Sequence, residues 1–311
     1  MRRFFANNSL AFLILQMYIS FHPKKLTTIT GSDFMKFKFL GTAAAEAVPA
    51  LFCECEVCIN AAKNKGKDIR RRASYLLDDD TLVDFGPDAF AQSLVFDVDL
   101  LKIKRILFTH CHEDHLDPIE LLWRRPGFSK VSKNIKIMGS NIILATLMQA
   151  YAKYTCITDF ETAFVTPVML WHGQEVTDEE LTVLPLSANH APGKNAQFFS
   201  ITKNGKNVLV GNDTGYFPEA SWELLKGKRF DMVTLDGTMC LKYPDCRDGH
   251  MGVNVVVEVR DRLREMGCID DNTKVIVTHF SHNGNSTQAD LEAFFVPKGI
   301  EVAYDGLTVE I

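Results

Sequence analysis

Phe108-Thr109-His110-Cys111-His112-Glu113-Asp114-His115-Leu116-Asp117 decides the reading of this chain. Three imidazoles and a carboxylate fall within six residues, at the end of an apolar run (Leu101 to Thr109) and ahead of a helix-like one (Leu116 to Arg125). A turn between a strand and a helix lets the alternate residues His110 and His112 face one cation. Asp114 and His115, opening the helix, face a second about 3.5–4 Å away. The chain holds only 9 His in 311 residues, so this density is not that of a solvated polar loop.

The pattern outside this stretch agrees with a folded scaffold. The chain is 46% hydrophobic and 23% charged, which suits a globular protein and excludes wholesale disorder, collagen and coiled coil. Its net charge of -5 argues against a general nucleic-acid binder, although a local basic patch stays compatible with it. Residues 1–34 stand apart. Arg2 and Arg3 precede an apolar stretch from Leu10 to Phe21, resembling a signal peptide but lacking a small-residue cleavage site. That run is too short and interrupted to span a membrane. We read 1–34 as an N-terminal extension, through an upstream start codon or an appended tail, and 35–311 as the working domain.

From Met35 onward strand-like and helix-like segments alternate. Met35-Lys-Phe-Lys-Phe-Leu opens as a strand; Tyr75 to Gly86 reads as a hairpin about Asp78 to Asp80; Ile135 to Met138 and Leu181 to Leu186 read as strands. Asn204-Gly205, between Phe198-Phe-Ser-Ile-Thr-Lys and Lys-Asn-Val-Leu-Val, is a two-residue hairpin, because both turn residues need positive φ. Asn141 to Tyr154, Val253 to Met266 (stopped by Gly267) and Thr287 to Phe295 read as helices, and Lys274 to Thr278 as a strand. A final hairpin is expected about Asp305-Gly306. Layers of strands punctuated by helices give an α/β or α+β sandwich.

The segment His110-x-His112-x-Asp114-His115 resembles the signature of the metallo-β-lactamase-fold hydrolases. The resemblance implies an αββα sandwich of two mixed sheets flanked by helices. It also implies that His110, His112 and His190 hold one metal, that Asp114, His115 and His279 hold the other, and that Asp213 bridges them. His190, Asp213 and His279 each follow a strand-like run, as that fold requires. Asp84 matches the family's first motif, where it props the metal loop, and an ordinary hairpin Asp is the equal alternative. Because His115 is present, the chain differs from the antibiotic-degrading branch.

Cys53-x-Cys55-x-x-Cys58 offers three of the four ligands that close a tetrahedral zinc site, and His282 is the candidate fourth. This pairing is similar to the phosphoribosyl 1,2-cyclic phosphate phosphodiesterase family, in which a structural zinc joins a Cys triad to the second His of a T-H-x-x-H segment. Cys111, Cys156, Cys240, Cys246 and Cys268 are read as inert thiols, and reduced thiols favour a cytoplasmic setting. By the same resemblance His250 donates a proton to the leaving oxygen. Arg70, Arg71 and Arg72 are read as a solvated basic turn rather than a phosphate clamp. His22 and His172 have no assignment.

The expected function is a dinuclear, metal-dependent phosphodiesterase. It would act on a small, cyclic or open, phosphodiester through a hydroxide bridging two divalent metals (Zn, Mn or Fe), with Asp114 and His250 as catalytic groups and one structural Zn. The rivals are hydrolysis of another ester, lactone or RNA 3′ end, an oxygenase like pyrroloquinoline quinone biosynthesis protein B, and a non-catalytic metal-binding protein. No membrane partner is expected, and a homodimer stays open.

Overall fold

The computed structural model describes residues 34–155 and 159–311. The extension reading of 1–34 falls, except for Phe34, outside the described residues, as does Cys156. Among the described residues fourteen strands form two seven-stranded sheets. The first contains β1 (Lys36–Gly41), β2 (Ser74–Leu77), β3 (Thr81–Val83), β4 (Arg105–Leu107), β5 (Ile135–Gly139), β6 (Val165–Met169) and β14 (Thr308–Glu310), in the order β14-β1-β2-β3-β4-β5-β6. The second contains β7 (Val176–Asp178), β8 (Leu181–Ser187), β9 (Gln197–Lys203), β10 (Lys206–Gly211), β11 (Met232–Asp236), β12 (Lys274–Thr278) and β13 (Glu301–Val302), in the order β13-β12-β11-β10-β9-β8-β7. Both sheets mix parallel and antiparallel pairs. The helices are α1 (Glu56–Asn64), α2 (Ala89–Val95), α3 (Pro118–Leu122), α4 (Asn141–Tyr154), α5 (Glu219–Leu225), α6 (Val253–Glu265) and α7 (Gln288–Phe295).

Period-2 side-chain alternation builds the layers. Tyr75, Leu77, Val83 and Leu107 point between the sheets, where they meet Phe199, Ile201, Val208 and Val210. Their neighbours Leu76, Leu82 and Ile106 point outward onto Ile143, Leu144, Leu147 and Tyr151 of α4. Leu184, Leu209, Val233 and Val275 point outward on the other side, against Trp222 of α5, Val256 and Val259 of α6, and Phe295 of α7. Strands buried on both faces, with helices outside, give the αββα sandwich. Residues 34–311 form one compact unit.

At the ends of the sheets remote from the histidines, two buried cations tie the layers together. Arg105, fully buried, meets Asp178 at 3.1 Å, Glu179 at 3.3 Å and Glu180 at 3.1 Å. Lys203 lies 2.9 Å from Asp78 and 2.5 Å from Asp80. Each is paired with more than one carboxylate, the condition under which a buried charge is tolerated.

Several sequence expectations hold to within a residue. Asn204 and Gly205 have φ of 51° and 79°, as a two-residue hairpin demands. Others need correction. The strand expected over Leu101 to Thr109 shrinks to β4, because Lys102 and Lys104 interrupt the run and Leu101 is 90% exposed. The helix expected from Leu116 starts only at Pro118, with Asp117 as its cap accepting from the Ile119 and Glu120 N–H groups. Asp114 and His115 therefore sit in a turn before the helix, not in its first turn. The closing hairpin does not form: β13 pairs with β12 while β14 pairs with β1, so Asp305-Gly306 carries the chain from one sheet to the other. A sheet crossing and a hairpin both call for the positive φ of Gly306, which is why the dipeptide misleads.

Candidate metal centre

Four strands deliver the site residues from their C-terminal ends. β4 leads into His110, His112, Asp114 and His115; β8 leads to His190; β10 to Asp213; β12 to His279. The chain turns abruptly at each end, and Asp213 and His279 adopt φ of 57° and 63°, as does Asp84 at 63°. Left-handed backbone at non-glycine residues is strained and concentrates where function over-determines the geometry.

The side chains converge on Asp213. Its Oδ2 lies 2.7 Å from His115 Nε2, 3.3 Å from His110 Nε2 and 3.7 Å from His279 Nε2, and its Oδ1 lies 3.3 Å from His190 Nε2. His112 Nδ1 stands 2.9 Å from His110 Nε2 and 3.3 Å from His190 Nε2. Asp114 Oδ2 is 3.0 Å from His115 Nε2. Two donor groups result, His110 with His112 and His190, and Asp114 with His115, Asp213 and His279, each with ligand atoms within 4.8 Å of one another.

Four of the five imidazoles are aimed by their other nitrogen. His115 Nδ1 lies 2.7 Å from Asp84 Oδ2, His110 Nδ1 3.1 Å from Thr109 Oγ1, His279 Nδ1 2.8 Å from Thr238 Oγ1, and His190 Nδ1 3.2 Å from the Gly249 carbonyl. The inner nitrogens then face one another, and His279 Nε2 and Asp213 Oδ1 are buried without a hydrogen-bond partner among the described residues. Several lone pairs aimed at one point are stable only around cations, so the donor set fits divalent metals. The Asp84 carboxylate, which also accepts from the Thr109 N–H at 2.8 Å, does what the first-motif reading asks of it.

The electrostatics follow from this crowding. Burial pulls His110 well below the ordinary imidazole value, which suits a neutral ligand. Burial also opposes the charge on His115, but Asp114, Asp84 and Asp213 outweigh it and hold that ring well above the usual value. Burial works against ionising Asp213 as well, yet His279, His110 and His115 keep its carboxyl far below the carboxylate range.

Asp236, at the end of β11, is the site residue the sequence reading passed over. Its Oδ2 lies 3.1 Å from His250 Nδ1 and accepts from the Asp213 N–H at 3.1 Å; its Oδ1 accepts from the Thr238 and Met251 N–H groups, each at 3.0 Å. The available signal was position, since it ends a strand as the other site residues do. His250 stacks on His279 with ring centroids 5.7 Å apart, at the edge of the centre. Burial lowers its pKa, but Asp236 overrides that and holds it at about 9.

The cysteine cluster assembles beside this centre. Cys53, Cys55, Cys58 and His282 have ligand atoms within 4.8 Å of one another, with His282 Nδ1 3.6 Å from Cys53 Sγ and 3.5 Å from Cys55 Sγ. Burial opposes ionisation of Cys55, but the Cys58 N–H and His282 bring its thiol down to about 6, whereas burial pushes Cys58 up to about 12. A thiolate-preferring cation held by these four residues would resolve that conflict, because it would favour the ionised form of every sulfur.

The arginine triplet is not a solvated turn. Arg70 is buried, bonded to Thr42 and the Ala303 carbonyl; Arg71 meets Asp305 at 3.3 Å; Arg72 grips Asp88 at 3.1 Å. All three are spent on joining loops. Gly86 shows how tightly the metal loop is packed, since a Cβ there would lie 2.0 Å from the Asp114 carbonyl oxygen. Gly86→Ala is expected to cost about 1–3 kcal/mol and to weaken metal binding by displacing Asp114 and His115. Thermal melts and metal titration of that variant check both effects.

Residues 80–280 match the Beta-lactamase superfamily domain. Among solved structures, a diphosphatase from the PhnP family is similar at 21% identity, covering 89% of this chain and 97% of that one, with a TM-score of 0.69. Zn(2+)-bound PqqB from Methylobacterium extorquens is similar at 18% identity over 89% of this chain and 100% of that one (TM-score 0.67). Human tRNase Z, short form, is similar at 17% identity over 88% and 98% (TM-score 0.58). With its αββα sandwich and this family match, the chain belongs to the β-lactamase superfamily.

Proposed function

We propose that this protein is a dinuclear metal-dependent phosphodiesterase acting on a small phosphodiester, cyclic or open. The observation that carries the reading is the gathering of six ligand-type side chains around Asp213, with His250, held by Asp236, at the edge. In this reading His110, His112 and His190 hold one divalent cation, Asp114, His115 and His279 the other, and Asp213 both. Mixed imidazole and carboxylate donors accept Zn, Mn or Fe. Such a pair, when bound, supplies Lewis acidity toward phosphoryl oxygens and brings a water into the range where it ionises near neutral pH.

The chain's own residues do the rest. Asp84, Thr109, Thr238 and the Gly249 carbonyl fix the ring orientations, so the ligands need no reorganisation. Asp236 holds His250 by Nδ1, which keeps that ring charged and leaves Nε2 to donate its proton to the leaving alkoxide. Cys53, Cys55, Cys58 and His282 hold a structural zinc, whose closed ligand set has no position for substrate. Among the described residues no helix is long and apolar enough to cross a membrane. The free cysteines suit a reducing compartment, and we place the protein in the cytoplasm on that ground.

His250→Gln tests the acid role. An alkyl phosphodiester needs its leaving oxygen protonated, so kcat on it is expected to fall about 10²–10⁴-fold. With bis-p-nitrophenyl phosphate, whose leaving group departs as a stable anion, the loss should be small. In the wild type the alkyl reaction should slow as pH rises through the His250 pKa, and the variant should lose that limb. Equal losses on both substrates would assign His250 a structural role instead.

A further inference from the structure

No acidic residue occurs between Glu120 and Asp159, whereas Arg124, Arg125, Lys130, Lys133, Lys136 and Lys153 all fall in that interval. The net charge of -5 hides this segregation. Elsewhere most cations are spent on carboxylates, as Lys203 is on Asp78 and Asp80, and within the interval Lys136 is spent on Asp178. Arg125, Lys130, Lys133 and Lys153 have no acidic partner among the described residues. They share one surface. Residues 123–134 run from the end of α3 to the start of β5, and Arg124 donates from Nη2 to the Lys133 carbonyl at 2.9 Å, which closes the loop on itself. Arg124 also lies close enough to Tyr151 of α4 for the two to influence each other's charge, which sets the last turn of α4 beside the loop.

Aromatic rings are set among these cations. Trp123 is 42% exposed and Phe128 59% exposed, with centroids 5.1 Å apart. The Arg125 guanidinium lies 4.2 Å from the Phe128 ring, and the Lys153 ammonium 5.0 Å from Tyr154. Half-exposed rings beside unpaired cations are what single-stranded nucleic acid uses: phosphates meet the charges while bases stack on the rings, without regard to sequence. A membrane surface fits less well, since insertion needs a continuous apolar helix face and this surface is a polar loop.

We infer that the surface formed by residues 123–134 and the end of α4 binds single-stranded nucleic acid. This surface lies outside the metal centre and does not depend on the hydrolytic reading. The test is fluorescence anisotropy of fluorescein-labelled U15 and dT15 with the full-length protein, across a salt series. Micromolar binding is expected at low salt, with log K falling against log[salt] at a slope of about −3, roughly −0.7 for each of four contacts. The double variant Lys130→Glu with Lys133→Glu should bind at least about tenfold more weakly with a slope no steeper than about −1.4, the two contacts that remain. Trp123→Ala with Phe128→Ala should lose about tenfold with the slope unchanged. Both pairs are exposed and outside the metal centre, so an unchanged circular dichroism spectrum and melting temperature certify that each variant is folded. That control also separates this inference from the proposed activity. Absence of oligonucleotide binding at about 100 µM protein, binding that survives both variants, or binding to phosphatidylserine vesicles alone would each overturn it.

Discussion

Replacing Asp213 by alanine is expected to remove both exchangeable cations of the proposed dinuclear centre and to lower phosphodiester turnover by at least about 10³-fold, while the zinc proposed for the cysteine cluster stays. Asp213 is the group the two donor sets share: its oxygens lie within 3.3 Å of Nε2 of His110, His115 and His190. Taking it away leaves three or fewer donors to each cation and removes the charge that offsets two divalent ions. Elemental analysis beside a turnover assay checks this. A variant that keeps two exchangeable metals would show that the remaining six side chains suffice without a bridge. Catalysis would feel the loss beyond occupancy, because metal-held phosphoryl oxygens stabilise the transition state by several kcal/mol.

The second large effect is expected at the cysteine cluster. Cys58→Ser or His282→Ala should release zinc and lower the melting temperature by about 10 °C or more. A closed tetrahedral site carries several kcal/mol of folding free energy, and each kcal/mol shifts a domain of this size by about 2–4 °C. The effect should reach the catalytic centre. The Phe280 N–H donates to the Thr42 carbonyl at 2.8 Å and the Ala44 N–H to the Phe280 carbonyl at 2.9 Å, so the loop that ends in the Cys triad is stitched to the strand end carrying His279. Weaker binding of the exchangeable metals is therefore expected in either variant, read by titration of the metal-stripped protein. Unchanged zinc content and melting temperature in Cys58→Ser would remove the cluster from the account.

Both effects could be anticipated from the sequence because they rest on residue types with few alternative uses. Histidines at His110, His112 and His115, and cysteines at Cys53, Cys55 and Cys58, mark candidate ligands by their spacing, and the structure brings them into clusters of ligand-type side chains. The Asn204-Gly205 turn and the alternating runs around it announced a β-rich scaffold, since that dipeptide satisfies a steric demand few others meet. Asp84 could not be decided from the sequence, because an Asp after a strand serves a turn as readily as a ligand; only its 2.7 Å approach to His115 Nδ1 separates the two uses. Asp236 was invisible for the same reason. The arginine triplet misled in the other direction. Consecutive arginines suggest exposure, yet Arg70 is buried by Phe280, Thr42 and the Ala303 carbonyl, partners far away in sequence. Asp305-Gly306 misled because local turn chemistry cannot say which sheet the next strand will join.

The most direct test of the central claim is the metal content of the purified protein, measured before and after mild chelation, with bis-p-nitrophenyl phosphate turnover followed on the same samples. The account predicts about three metals per chain, one resistant zinc and two that exchange together, with turnover lost and restored in step with the exchangeable pair. Full turnover in protein stripped of that pair, or a single exchangeable metal at full activity, would contradict it.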